Sequence, residues 1–546
     1  MFIDFERAAD IPFAPDICVV GAGIAGLTLV SALRRRGLKV LVLEGGGLTH
    51  EPRSQSLFES EMDFAGAVNA GVANGRFRVF GGSGTRWLGK CVPLEAHELS
   101  AGSTLDGIGW PIEISMLASY YDQLERILGL NGSPFDARCR QVAGRPTRTL
   151  AAHCDAFSVR FEKWLPWPRR DIGRFLHQSL NEDPDVVVLY HANVVELVCG
   201  DRRDVVTGVR VRSYTGREQI FAAQYFVIAA GAIESVRLLL VSHSLHPDGM
   251  GDRWKLLGYG FNDHVMLHAA GVVAPDAWSR LRRLARGFYV GNVLHTPRFE
   301  LSQKTKVEED CLSGYASIYF EAEPESAFVK LGALLEDYRA CGVRALLRGP
   351  YATLLRGAPD LVAGFLARKT LALQPISRRS RADVHLVAEQ PSRSNARIQI
   401  AEGYDAVGMR RLSLAWQIGD AELRTLTVVG RRLEAFLRRS RIGAVTWFDE
   451  TFDPNEGARL DRVVDTYHHA GGARMSALAR DGVVDADCRV HDMQNLYLAS
   501  AAVFPSGGST NPTFTIMALA LRLAEHLQRT IRYVDGSGSH RSLSST

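Results

Sequence analysis

An α/β fold is predicted by three observations in the first 45 residues. The stretch Asp16–Glu44 reads as a short apolar run, a glycine turn, an amphipathic stretch and a second apolar run, which is the pattern of a β-α-β unit. The turn carries Gly21-Ala22-Gly23-Ile24-Ala25-Gly26 directly after the first run. Glu44 closes the second run, 23 residues after Gly21.

Each element has a physical reason. Gly21 permits the tight turn, Gly23 lets the backbone approach a pyrophosphate, and Gly26 allows helix and strand to pack closely. The helix amino end then offers N–H groups and partial positive charge to an anion, with Ile24 and Ala25 in its first turn. A carboxylate about 20 residues on is placed to bind a ribose hydroxyl, which suits an unphosphorylated ribose. The motif marks a dinucleotide site without distinguishing a flavin from a nicotinamide dinucleotide.

Further strands are expected at Val186–Tyr190 and Val194–Val198, read as a pair, then at Val205–Arg212 and Tyr225–Ala230, the last ending in Gly231. Leu496–Leu498 leads through a loop to a helix over Thr513–Gln528. Between these blocks lie stretches richer in Arg, Trp and helical pattern. They suggest a nucleotide-binding domain assembled from 1–108, 186–266 and 456–534, with a substrate-facing cap domain from 109–185 and 267–455 threaded through it. Residues 324–373 read as mostly helical, with breaks at 349–350 and 357–359. The basic residues Arg344, Arg348, Arg356, Arg368 and Lys369 of that segment are read as a solvated face of a cap, in preference to a membrane-surface helix. The tail 535–546 is polar and expected to be disordered.

Composition bounds the partners. A net charge of +4 over 546 residues makes no electrostatic case for nucleic acid. The amino terminus lacks the marks of a secretory signal, and no stretch is apolar enough to span a bilayer, so a cytoplasmic protein without membrane contact is expected. Eight scattered cysteines, without a C-x-x-C pair or clustering with histidine, suggest reduced thiols and no metal site.

Three more segments carry a family resemblance. They are Arg78-Val-Phe-Gly81-Gly82-Ser83-Gly84-Thr85-Arg86-Trp87, the turn Val227-Ile-Ala-Ala-Gly231-Ala-Ile-Glu234, and a carboxy-terminal block. That block runs from His468-His469-Ala-Gly471-Gly472-Ala-Arg474-Met475 through Asn495-Leu-Tyr-Leu and Phe504-Pro505 to Asn511-Pro512-Thr513. With the glycine turn they resemble the glucose-methanol-choline (GMC) oxidoreductases, nearest to bacterial sugar and polyol oxidoreductases and pyranose-oxidase-like members. Residues 267–380 show little that matches.

The resemblance implies a Rossmann-like FAD-binding domain with a threaded α+β substrate domain on an antiparallel sheet. It implies FAD contacts from the glycine turn and Glu44, and from Gly82, Ser83, Thr85, Val195, Gly231, Ser500, Asn511 and Thr513. Pyranose oxidases that hold flavin covalently have histidine where this chain has Arg86, so non-covalent FAD is expected. The implied reaction oxidises a CH–OH group of a sugar, glycoside or other alcohol to a carbonyl, with oxygen or an external molecule as acceptor. A lyase or decarboxylase on the same fold is the alternative.

Alcohol oxidation needs a base near neutral pKa and a fixed hydrogen-bond donor for the developing alkoxide, roles that suit a histidine and a side-chain amide. By the family pattern these fall to His469, directly before Ala-Gly-Gly, and Asn511, 42 residues later. His468 is the competitor, since neighbours in an extended segment point opposite ways. His264 is read as structural and His491 as part of a surface turn.

Overall fold

The computed structural model describes residues 1–546 apart from 9–10, 12, 66–68, 102–106, 146–154, 243–248, 251–252, 274–277, 393–394, 443, 449, 454–455 and 537–546. The tail read as disordered lies almost wholly outside the described residues.

Along the first half run β1 (Phe2–Asp4), β2 (Ile17–Val20), α1 (Ile24–Leu33), β3 (Val40–Leu43), β4 (Lys90–Cys91), β5 (Phe157–Trp164), β6 (Val186–Tyr190), β7 (Asn193–Cys199), β8 (Tyr225–Ile228) and α2 (Ala232–Val241). The second half adds β9 (His264–Val273), β10 (Val293–Leu301), β11 (Gly314–Ala322), α3 (Ala327–Cys341), α4 (Tyr351–Arg356), α5 (Ala358–Thr370), β12 (Ser380–Glu389), α6 (Asp420–Arg439), β13 (Ala444–Trp447), β14 (Leu496–Leu498) and α7 (Pro512–Gly536).

Two sheets organise the molecule. The first is six-stranded and parallel, in the order β1-β6-β3-β2-β8-β14. Strands covered on both faces read as unbroken apolar runs, and all side chains of β2, β3 and β14 are buried. Burying each such Val or Leu contributes about 1.5–3 kcal/mol relative to exposure. The sequence pairing of Val186–Tyr190 with the strand after it is corrected here. β6 joins the parallel sheet beside β3, whereas β7 pairs antiparallel with Val206–Arg212.

The second sheet is antiparallel, in the order β13-β9-β12-β11-β10-β5-β4, with Val464–Asp465 added against β9. α6 packs across it through Leu426, Val429, Leu433 and Leu437, at the i, i+3, i+4 spacing of one helix face. The short strand Val464–Asp465 matters most for the site, because it delivers the residues that follow to the boundary between the two sheets. The helices α3, α4 and α5 form an insert between β11 and β12.

Candidate active site

The carboxyl ends of the parallel strands meet one cavity of about 1290 Å³, lined by Gly21, Gly23, Glu44, Ala229 and Ser500 at one end and His468, His469 and Asn511 at the other. Open α/β sheets bind ligands in this position. The volume exceeds the roughly 300–1,000 Å³ of an ordinary ligand pocket, leaving room for a dinucleotide and a substrate together.

The cradle is built from backbone. Gly21 has φ +103°, a conformation an L side chain rarely adopts, and a Cβ there would come within 2.7 Å of the Ala229 carbonyl oxygen. Gly26 does not line the cavity; a Cβ at this position would overlap the Gly21 carbonyl oxygen and press on Ala229, so its absence lets α1 sit against the sheet. At the N-cap of α1, Gly23 offers no side-chain cap to the first N–H groups. They are left to an anion, and Ile24 and Ala25 line the cavity beside them. Glu44 accepts from the N–H of Ala22 at 2.9 Å and Gly46 at 2.8 Å, which fixes its carboxylate in the cavity wall. Burial pushes its pKa up against those two bonds. This donor set fits a dinucleotide such as FAD: open N–H groups for the pyrophosphate, a carboxylate for the ribose, and glycines at positions 21 and 23 of the turn between them.

The other residues expected at the cofactor divide. Gly82, Ser83, Gly231, Ser500, Asn511 and Thr513 line the cavity. Thr85 does not, because its hydroxyl caps the loop by donating to the Gly82 carbonyl at 2.9 Å. Val194 lines the cavity rather than Val195, since side chains alternate along β7. Arg86 lines the wall with its guanidinium 5.6 Å above the ring centre of Phe77.

The expected pairing of His469 with Asn511 is corrected. The Asn511 amide meets His468, with Nδ2 2.9 Å from Nε2. The reason lies in pairing between distant segments: Val464–Asp465 pairs with β9, and Ala470 exchanges both backbone bonds with Asn262, so the two imidazoles between them leave on opposite sides. His469 turns toward Asp263, with Nε2 3.6 Å from the carboxylate, and packs at 5.8 Å from the Phe261 ring. His264 donates from Nε2 to the Gly508 carbonyl at 2.8 Å, and His491 sits in a turn against the Ser476 hydroxyl.

Behind His468 runs a chain of bonds that sequence motifs do not mark. Its Nδ1 lies 2.8 Å from the Thr466 hydroxyl, and that hydroxyl donates to Asp263 Oδ1 at 3.2 Å. The same carboxylate oxygen accepts the backbone N–H of His468 at 2.9 Å and of His264 at 2.7 Å. With the Thr466 proton committed to Asp263, the hydroxyl accepts from Nδ1–H. The Nε2 lone pair is then left facing Asn511. Burial, with His264 and Lys90 nearby, holds the His468 pKa well below the usual histidine range, so the ring is neutral. Burial and Arg76 lower His469 to about 3, while burial and the neighbouring Asp465 raise Asp263 to about 7.

Among the described residues, two overlapping groups at this point gather potential metal-ligand atoms within 4.8 Å of one another: Asp263, His264 and His468, and Asp263, Asp465 and His469. In the first, both ring nitrogens of His468, Nε2 of His264 and Oδ1 of Asp263 have protein partners, whereas His264 Nδ1 and Asp263 Oδ2 make no hydrogen bond. In the second, both oxygens of Asp465 accept backbone N–H groups of Ala70 and Gly71, whereas Asp263 Oδ2 and His469 Nε2 make no hydrogen bond.

Beyond the histidines the wall comes from the antiparallel sheet. Alternate residues of β11, namely Tyr315, Ser317, Tyr319 and Glu321, face the cavity, joined by Lys90, Trp164 and His385. Lys90 donates to the Tyr319 hydroxyl at 2.7 Å and stands 4.8 Å from the Trp164 ring centre. Period-two alternation was the only sequence signal for this wall, and it carries no information about which face meets a ligand.

Comparison with known proteins agrees with this architecture. Residues 392–520 match the family described as GMC oxidoreductase, and 19–76 match the NAD(P)-binding Rossmann-like domain. Paromamine 6'-oxidase of Streptomyces fradiae is 24% identical over 93% of this chain and 90% of its own. The fructose dehydrogenase large subunit of Gluconobacter japonicus is 24% identical over 61% of this chain and 52% of its own. A crystal structure of formate oxidase shares the fold, with TM-score 0.56 and 16% identity over 96% of this chain and all of that one. The carboxy-terminal region thus matches the GMC oxidoreductase family, and the cradle and second sheet share the fold of the formate oxidase structure.

Proposed function

We propose that the protein is an FAD-dependent oxidoreductase that converts a CH–OH group of a sugar, glycoside or other polyol to a carbonyl, with His468 as base and Asn511 as its partner. The observation that carries this is the 2.9 Å contact between Asn511 Nδ2 and His468 Nε2 at the junction of the dinucleotide cradle and the second sheet.

Bound FAD supplies the hydride acceptor. The chain supplies the rest. His468 is neutral with its lone pair toward the pocket, so Nε2 takes the hydroxyl proton as the hydride departs. Asn511 holds the substrate oxygen with an amide N–H set in place beforehand, which steadies the alkoxide as it develops. Thr466 and Asp263 position the imidazole and fix its tautomer, much as an acidic residue orients a histidine base in hydrolases. The amino end of α7, beginning at Pro512 beside Asn511, directs partial positive charge at the same place.

A polyol suits the remaining wall. Trp164 and Tyr315 offer flat apolar faces for sugar C–H surfaces, and Lys90, Ser317, Tyr319 and Glu321 offer hydroxyl partners. Oxidase and dehydrogenase names among the relatives, paromamine 6'-oxidase and fructose dehydrogenase, support this reading. Arg86 in the flavin loop supports non-covalent binding.

The test is anaerobic mixing of purified, FAD-loaded protein with a panel of sugars and alcohols. Bleaching of the flavin with formation of one carbonyl per flavin is expected. Protein that takes up no FAD, or product formed in the dark with the flavin still oxidised, would refute oxidation.

A further inference from the structure

The insert α3–α5 is a group of helices that leaves many of its apolar side chains exposed. α4 buries no side chain, and among the described residues of α5 only Gly364 is buried. Their apolar residues nevertheless fall at helical spacing. Leu355 is 76% exposed and lies four residues after exposed Tyr351; Val362, Phe365 and Leu366 share one face of α5, with Phe365 60% exposed. Leu335 and Tyr338 repeat the pattern on α3, and Val343 with Leu346 on the turn that follows. Single exposed apolar residues are ordinary; successive stripes within 45 residues mark a surface that something covers.

The insert holds together from within. Phe328 on α3 closes over Gly364 on α5, and Ala327 meets Gly357 at the start of that helix, so the three helices form one unit. Its root is anchored by the Arg368 guanidinium 3.6 Å above the Tyr289 ring. The unit is spliced between β11 and β12, whose Tyr319, Glu321 and His385 line the cavity. The outward face therefore sits on the outer ends of the substrate wall.

Charge selects the occupant. Between Ala327 and Thr370 there are seven basic and three acidic residues, a net charge of +4, equal to that of the whole chain. One acid is already engaged, since Asp360 accepts from Ser377 and the Arg378 backbone, while Arg344, Arg356 and Lys369 are exposed. Apolar stripes carrying aromatic rings and flanked by Arg and Lys suit an interface of acyl chains and anionic headgroups. Two copies meeting through this face would instead oppose two like charges of this size.

We propose that the face of α3–α5 docks on an anionic phospholipid bilayer, lying in its surface without crossing it. No described helix is long and apolar enough to cross a membrane. Docking there would hold the cavity beside the bilayer. The expectation of a solvated cap is revised, because it rested on one basic stretch without an aromatic apolar face, and folding supplies that face from separate helices.

The test pellets FAD-loaded protein with vesicles of phosphatidylcholine alone or mixed with phosphatidylglycerol. Co-sedimentation with the mixed vesicles only is expected, weakening with added salt. Each of Arg356→Glu and Lys369→Glu should weaken it by at least about fivefold, the value of one basic residue near an anionic surface. The double variant Leu355→Glu/Phe365→Glu should stay in the supernatant while keeping its flavin absorbance and melting temperature. Wild-type protein that ignores both vesicles, binds them equally, or binds as well with the double substitution overturns the proposal. So does a dimer seen by light scattering without lipid that the double substitution dissociates, which would assign the face to a second copy.

Discussion

The dinucleotide cradle and the helical insert are opposites in how they are held. In the cradle, β2 and β3 are buried on both faces and Gly21 has a backbone conformation with no space for a side chain. In the insert, α4 buries nothing and its apolar residues look outward. The cradle is specified from inside, by its own packing and by the shape of what it binds. The insert is held together where α3 packs on α5, and it leaves an apolar face outward.

The largest effect that would sharpen this contrast is expected at Gly21. Gly21→Val would force a β-branched residue to φ +103° and drive a side chain into the Ala229 carbonyl. We expect protein without flavin absorbance after purification. Retained FAD at wild-type occupancy would show that the turn is not the constraint it looks to be.

Next come the paired histidines, where two adjacent residues separate chemistry from structure. His468→Ala should lower anaerobic flavin reduction by about 10²–10⁴-fold, the usual value of a positioned base, with FAD still bound. His469→Ala should lower it far less and act mainly through stability, because its ring packs on Phe261 beside Asp263. The reverse order of effects would return the base to His469.

That pair shows where the sequence stops being legible. The β-α-β unit, the glycine turn, Glu44 and the strands at 186–190 and 496–498 were readable because each is a local rule about backbone or periodicity. Its motif singled out Asn511, which lines the cavity beside His468. The choice between His468 and His469 was not legible, since it depends on Val464–Asp465 pairing with β9 and Ala470 pairing with Asn262, across about 200 residues of chain. Thr466 was missed for the same reason: its hydroxyl joins His468 to Asp263 only once the distant Asp263 is brought beside it. Thr85 shows the converse, a residue in a cofactor loop that spends its hydroxyl on its own turn.

A smaller effect should follow from Thr466→Val, which keeps the shape and removes the acceptor for His468 Nδ1. Losing one such bond is worth about 1 kcal/mol, so a fall of about fivefold in kcat/KM is expected. The pH profile gives a readout that packing alone would not move. The folded-state pKa of His468 is depressed, so the base is neutral and competent above that value and is lost only as pH falls through it. The wild-type acid limb should therefore lie below the ordinary histidine value of about 6.5. Without the fixed tautomer, Thr466→Val should shift that limb, whereas a purely structural threonine would leave it in place.

The smallest expected effect is on the insert. Leu386 in β12 is fully buried, and truncating such a leucine to alanine costs about 2–5 kcal/mol. Leu355 is nearly as exposed as a leucine can be, so Leu355→Ser should change stability by no more than about 0.5 kcal/mol and leave the thermal transition in place. The measurement is a melting curve of each variant in lipid-free buffer, followed by absorbance of the bound flavin. If Leu355→Ser were as destabilising as the buried truncation, the outward face of α4 would already be packed in solution, and the insert would belong with the cradle, held from inside.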